Sequence, residues 1–233
     1  MKETMMKLTK SIATGTGMMA LLLISAAHAD NQGGGATRDY TVTITNLTLG
    51  QVFSPPVLVT HKQDVALFTL GDAASNELAL VAEDGVGQDL AALASTLPGV
   101  ADAQATSAPI PPGETVAFQI SSNPGFDVLS VVSMLVNTND AFLAIDSEPL
   151  PKTRRSSVGY RALAYDAGSE ANNEDCAFIP GPACPGDSGN DRAVDDAEGY
   201  VYVHNGIHDS ADLSAAVYDW RNPVALIKVE RTR

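Results

Sequence analysis

Short segments with an apolar residue at every second position constrain the fold of this chain more than any other feature. Between residues 40 and 45, the apolar side chains of Tyr40, Val42 and Ile44 alternate with three threonines. Because successive side chains of a β-strand point to opposite faces, this pattern predicts a strand with one buried face. Further short strands are predicted at residues 57–59, 115–120, 128–136, 141–145, 200–203 and 224–229.

Two stretches after the second predicted strand have helical rather than strand spacing. Ser75 or Asn76 can cap a helix that ends at Gly85. The leucine spacing over residues 88–97 predicts a second helix, which Pro98 ends. We expect both short helices to pack on the predicted strands.

One long segment, residues 165–199, has almost no apolar periodicity and is crowded with Gly, Pro, Asn, Asp and Glu. Loops longer than about 12–15 residues in a compact domain are usually functional or disordered. We interpret the acidic side chains of 187–198 as solvating this loop, with a second, weak cation site as the alternative. The pattern as a whole predicts one mainly β domain over residues 40–233, an antiparallel β-sandwich with a few short helices and a long acidic loop, preceded by a flexible leader at 30–39.

The first 29 residues have the three parts of a secretory signal peptide. Three lysines precede an uncharged, mostly apolar run over residues 18–27, and Ala27-His28-Ala29 is a small-x-small cleavage pattern. The apolar run is shorter than the roughly 20 residues needed to cross a bilayer. We therefore expect cleavage before Asp30, export to the periplasm or the extracellular medium, and no membrane span in the mature chain.

The charge of the chain limits its partners. The formal net charge is −14, and removal of residues 1–29 makes it more negative because that segment is basic. A charge of this sign repels nucleic acid and anionic lipid and attracts cations. We expect no nucleic-acid partner; simple solubility is the alternative reason for so acidic a surface.

Cys176 and Cys184 are the only two cysteines, and they lie close together in the acidic loop. In an oxidising compartment a close, even pair indicates a disulfide. A zinc site is less favoured, because two thiolates without a neighbouring His or Cys do not supply four ligands. The predicted bridge pins one local loop.

The serine and histidine patterns give weak support for catalysis. Gly-Asp-Ser-Gly at residues 186–189 matches the nucleophile signature of trypsin-like proteases, but the His base and its Asp partner have no recognisable counterpart. His204 and His208 are four residues apart around a predicted strand and turn, so we expect turn or surface histidines rather than a metal pair. We predict a protein that is not an enzyme, and keep as an alternative a hydrolase that uses Ser188 or loop carboxylates.

Three acidic residues follow predicted strands and could share one ion. Asp140 lies between two apolar strands, and Asp166 and Glu170 flank a glycine that lets the backbone turn. Calcium takes six to eight hard oxygen ligands from loops that wrap it. The spacing therefore allows a calcium site at Asp140, Asp166 and Glu170, but from spacing alone solvated acidic loops explain these residues at least as well.

Four ordered pieces of the chain resemble the spondin N-terminal domain, in the single-domain form of bacterial exported proteins. They carry the opening strand and loop, the central strand, the Asp-Ala-Gly loop and the last strand of that family. Together they span nearly the whole predicted domain. The pieces are residues 45–48 with 51–56, 133–142, 165–170 and 219–225.

The resemblance implies a β-sandwich with a bound calcium ion. In the animal members F-spondin and mindin, an Asp after the central strand and two acidic residues of the Asp-Ala-Gly loop hold the ion, and these match Asp140, Asp166 and Glu170. Glu170 departs from the family pattern, which has Asp there. The matrix and receptor partners of the animal members are not carried over to this chain, and we expect an unidentified extracellular protein or glycan as partner. Asp140→Asn is expected to remove any stabilisation by calcium.

Overall fold

The computed structural model describes residues 36–185 and 191–233. The predicted signal peptide, most of the predicted leader and the Gly-Asp-Ser-Gly motif at 186–189 lie outside these residues. The described part contains nine strands, three α-helices and one 3-10 turn. The strands are β1 (Arg38–Asn46), β2 (Val57–His61), β3 (Val100–Ala105), β4 (Thr115–Ser122), β5 (Val128–Met134), β6 (Ala141–Pro149), β7 (Ser157–Asp166), β8 (Tyr202–Val203) and β9 (Ala225–Arg231); the helices are α1 (Asn76–Asp84), α2 (Gln88–Ser95) and α3 (Ala215–Tyr218), and the 3-10 turn is Cys176–Phe178.

All strand pairs are antiparallel, in the order β3-β2-β5-β6-β7-β9-β1-β4, with β8 beside β7. The prediction of a mainly β, antiparallel fold is confirmed. The predicted sandwich would consist of two separate sheets, but here the strands form one continuous sheet. The connection is β7, which pairs with β9 over 157–162 and with β6 over 163–166. The end strands also meet, since the backbone N–H of Ser121 in β4 donates to Asp102 Oδ2 in β3 at 3.0 Å. The sheet is therefore nearly closed, between a sandwich and a barrel.

Two apolar clusters fill the interior. The first lies on one face of most strands and includes Tyr40, Leu129 and Ile227. The second lies on the other face of β2, β5 and β6, where residues such as Leu78 of α1 and Leu90 of α2 cover it. Strand β5 is buried at every position because it is covered on both faces, which explains why its sequence is apolar throughout instead of alternating.

Two strands, β3 and β7, were not predicted from the sequence. The inward-facing residues of β7 include Ala162 and Ala164, which are fully buried but small. All residues of β3 are half-buried and none is large apart from its first valine and Gln104. Strand β3 therefore lacks the alternation of large apolar and polar residues on which the prediction depended, and β7 has it only at Val158 and Tyr160.

Candidate metal centre

The candidate site lies where β6 begins and β7 ends. The register pairs Ala141 of β6 with Asp166 of β7, and the Ala167 N–H donates to the Asp140 carbonyl at 3.2 Å. Thr138 shapes the turn before β6, because its hydroxyl donates to the Leu135 carbonyl and accepts the Ala141 N–H. Two residues that are distant in sequence are thus held beside each other at the end of two central strands.

The Asp140 carboxylate is fully buried and unevenly bonded. Its Oδ2 accepts the Ser169 N–H at 2.8 Å, the Ser169 hydroxyl at 3.2 Å and the Glu170 N–H at 3.0 Å. Gly168 makes this turn possible: its φ is +65°, and a Cβ there would lie 2.3 Å from the Tyr200 carbonyl oxygen. Among the described residues, Asp140 Oδ1 has no hydrogen-bond partner.

Asp166 is also fully buried, and its two oxygens have different partners. Oδ1 accepts the Gly168 N–H at 2.7 Å, and Oδ2 accepts the Asn172 amide at 2.6 Å. Burial raises the pKa of Asp166 to about 6, although these two hydrogen bonds oppose the shift. Burial, followed by the charge of Asp166, raises the pKa of Asp140 well above its usual range. Keeping both carboxylates ionised in this buried pair therefore costs free energy.

Glu170 contributes its backbone to this turn, but its carboxylate faces a different group. Oε1 accepts the Ala193 N–H at 3.3 Å and lies 3.7 Å from Arg192 Nε. Burial and the charge of Glu83 raise the pKa of Glu170 to about 7, with Arg192 opposing. Oε2 is buried and, in the part of the chain that the structure describes, has no partner.

The structure thus brings two of the three predicted ligands together and places the third carboxylate towards Arg192. Within residues 36–185 and 191–233, no three His, Cys, Asp or Glu side chains are grouped so that they could hold a metal. The oxygen chemistry still suits a hard cation, because Asp140 Oδ1 and Glu170 Oε2 are both buried and, among the described residues, have no hydrogen-bond partner. A shared ion at this site would compete with Arg192 for the charge of Glu170.

Sequence reasoning missed the polar side chains that support Asp166. The Asn172 amide donates to Asp166, and its carbonyl accepts from His204 Nε2 at 3.0 Å. His204 Nδ1 accepts the Gly206 N–H at 2.9 Å, which fixes a neutral ring, and burial lowers the pKa of His204 to about 4. His204 adjoins the turn at 205–206, as expected, but the expectation of a surface position is wrong, because His204 is only 6% exposed. No sequence pattern links it to Asn172, since the contact depends on the fold of the loop.

The predicted disulfide between Cys176 and Cys184 is confirmed, with the two Cα atoms 5.2 Å apart. Cys184 is buried against the main apolar cluster, and the Cys176 N–H donates to Asp212 Oδ2 at 3.0 Å. The bridge therefore ties the acidic loop both to the core and to the segment before α3.

Comparison with known proteins adds no relative. No protein-family model matches the chain, and no curated protein matches it either. The resemblance to the spondin domain therefore stays a prediction. In the described residues, no helix is long and apolar enough to cross a membrane.

Proposed function

We propose that this protein is an exported, calcium-binding domain of the spondin type, and that it mediates cell-surface or matrix interactions without catalysis. Calcium would neutralise the acidic residues Asp140, Asp166 and Glu170 and serve mainly as a structural ion. The disulfide is consistent with an oxidising compartment, where such a domain would act.

The observation that carries the proposal is the open oxygen of Asp140. A buried carboxylate oxygen without a donor costs free energy, because its hydration is lost and not replaced. Here the cost is increased by Asp166, whose charge raises the pKa of Asp140. Among the described residues, His204 Nε2 lies 3.5 Å from Asp166 Oδ2, but burial lowers the pKa of His204 to about 4 and so keeps the ring neutral. These residues therefore give the two carboxylates no cation comparable to the arginine beside Glu170. A divalent ion removes both penalties at once, which supports a cation as the natural partner of the pair.

The protein's own residues prepare this site from the backbone outward. Asn172 and Gly168 hold the Asp166 carboxylate from one side, and the Ser169 and Glu170 N–H groups hold Asp140 from the other. These bonds orient both carboxylates before any ion arrives, so little side-chain freedom remains to be lost on binding. Loop oxygens of this kind suit calcium, which accepts irregular geometry, better than magnesium.

A polar groove near this site supports a binding role for the surface. A cavity of about 480 Å³ is lined by residues that include His204, Asp219, Trp220 and Arg221. The His204 ring packs against Trp220, with ring centroids 5.0 Å apart and ring planes tilted by 48°. His204 is also hydrogen-bonded to Asn172 of the candidate site. An extracellular protein or glycan docking in this groove would contact side chains held by the same network as Asp166.

The burial of the carboxylates supports a non-catalytic role over a hydrolase. Asp140 and Asp166 are both 0% exposed, so a substrate bond cannot approach either oxygen in this conformation. A raised pKa alone is typical of structural carboxylates as well as catalytic ones. The metal-free structural alternative differs from the proposal in one measurable property, which is stabilisation by calcium.

Thermal unfolding of the mature chain, residues 30–233, tests the proposal. Calcium at about ten times its dissociation constant stabilises the folded state by about 1.4 kcal/mol, which is a rise of about 3–6 °C for a domain of this size. We expect that rise over the value in EDTA, and little change with magnesium at the same ionic strength. Equal melting temperatures in EDTA and calcium would contradict the calcium proposal and favour a metal-free structural protein.

A further inference from the structure

The positive charge beside the candidate site comes from Arg192. Its Nε lies 2.8 Å from Glu83 Oε2 and 3.7 Å from Glu170 Oε1, and its guanidinium also pairs with Asp84. Among the described residues, one guanidinium therefore faces three carboxylates, from α1 and from the loop after β7. Glu170 is 0% exposed, and the Arg192 side chain is 30% exposed, so the contact between them is shielded from water on the Glu170 side.

The end of α1 explains why a cation is needed there. A helix C-terminus carries a partial negative charge and is stabilised by basic residues in its last turn. The last turn of α1 has none and instead ends with Glu83 and Asp84. Arg192 supplies this missing charge from a distant segment, and the same guanidinium reaches Glu170.

The geometry of Glu170 points to a competition. Its Oε1 is directed to Arg192 and the Ala193 N–H, while Oε2 is buried and, among the described residues, unbonded. A cation shared with Asp140 and Asp166 needs the Glu170 carboxylate on their side. In this conformation any such cation would have to share the charge of the Glu170 carboxylate with Arg192.

We propose, on the basis of the proposed calcium function, that Arg192 is a built-in counter-cation that holds Glu170 in the metal-free protein and competes with calcium for it. Arg192 then sets the calcium concentration at which the site fills. It stabilises the metal-free fold, because it neutralises Glu170 and the end of α1. It weakens calcium binding, because the two cations share the charge of Glu170 and repel each other.

The test compares Arg192→Gln with the wild-type chain by calorimetric calcium titration and by thermal unfolding in EDTA. We expect calcium to bind at least about threefold more tightly to Arg192→Gln, as the loss of a nearby positive charge implies. We also expect a lower melting temperature in EDTA, and a larger rise on addition of calcium. Arg192→Lys keeps the charge, so its calcium affinity should lie close to that of the wild type. Arg192→Met also removes the charge while keeping most of the apolar stem, and it replaces Arg192→Gln if that variant does not fold.

Arg161→Gln is the matched control, because it removes the same charge from an exposed position of β7. Arg161 is five residues from Asp166 along that strand, or about 16 Å, which is beyond the Debye length of about 8 Å at physiological salt. Calcium affinity in Arg192→Gln that equals that of Arg161→Gln, or that is weaker than in the wild type, would overturn the role of Arg192. Absence of calcium binding to the wild-type chain would instead overturn the proposed function, and this inference with it.

Discussion

Two buried carboxylates on neighbouring loops, Glu174 and Asp140, are held in opposite ways. Glu174 is 3% exposed, and each of its oxygens accepts a backbone N–H, from His208 at 2.6 Å and from Ser210 at 2.7 Å. Asp140 is 0% exposed and takes three hydrogen bonds on one oxygen, while the other has no partner in the described chain. Both oxygens of Glu174 therefore have hydrogen-bond donors, whereas only one oxygen of Asp140 does.

The difference shows what distinguishes a structural acid from a candidate ligand. Glu174 fastens the segment 207–210 to the acidic loop, and its charge is compensated by oriented N–H dipoles. Asp140 has a second carboxylate beside it, Asp166, whose charge adds to the penalty of burial. Burial of a carboxylate does not by itself favour a metal site. A buried carboxylate oxygen that has no hydrogen-bond donor and lies next to a second negative charge does favour one.

The largest effect on stability is expected from substitution of Glu174, whose two oxygens both have hydrogen-bond donors. Glu174→Ala leaves the His208 and Ser210 N–H groups without their acceptor, and each lost bond to a buried group costs about 1–3 kcal/mol. We expect the free energy of unfolding to fall by about 2–5 kcal/mol, measured by urea denaturation. The loss should be the same in EDTA and in calcium, because Glu174 is not part of the proposed site.

Glu114→Ala serves as the control for that substitution. Glu114 is exposed, and exposed substitutions usually change stability by less than about 0.5 kcal/mol. A calcium-dependent loss in Glu174→Ala would break the comparison, since it would make Glu174 part of the ion site.

A smaller effect on stability is expected from pH at the Asp140 and Asp166 pair, measured in EDTA. Asp166 has a pKa of about 6 in the folded state against 3.8 for a free side chain, so the folded state binds its proton more tightly. Between about pH 4 and 6 this group therefore reduces stability as pH rises, and the loss is complete above pH 6. Glu170, with its pKa of about 7, acts in the same direction, whereas His204, with a pKa of about 4, acts in the opposite one.

Asp166→Asn isolates this contribution. The free energy of unfolding of Asp166→Asn minus that of the wild type should increase by on the order of 2–3 kcal/mol between pH 4 and pH 6. Any pH-independent cost, such as the mismatch with the Asn172 amide, adds a constant and leaves the slope intact. Urea denaturation at five pH values gives the measurement, and parallel curves for the two proteins would show that the Asp166 charge costs nothing in the fold.

The strands and the neighbouring carboxylates were predictable for local reasons. β1 alternates because one of its faces is buried and the other is not, and Asp140 and Asp166 meet because each adjoins a strand of one antiparallel pair. In contrast, β7 was missed because its buried residues include small alanines. Patterns with a period of two carry the register of a sheet, but only where the inward side chains are large.

The direction of the Glu170 carboxylate and the burial of His204 could not be predicted in this way. Glu170 is positioned by Arg192, which in turn is fixed by Glu83 of a distant helix. His204 is buried by its contacts with Asn172 and Trp220. Such contacts depend on how loops fold over the end of the sheet, and neither spacing nor composition encodes them.

The central claim is that Asp140 and Asp166 lack a cation that calcium supplies. Calorimetric titration of calcium into the wild-type chain and into Asp140→Asn, at constant ionic strength, tests it most directly. The account predicts one calcium ion per wild-type chain, with a dissociation constant of about 10⁻⁴–10⁻³ M as in other extracellular modules, and no binding to Asp140→Asn. Absence of binding to the wild type, or equal affinity in the two proteins, would contradict it.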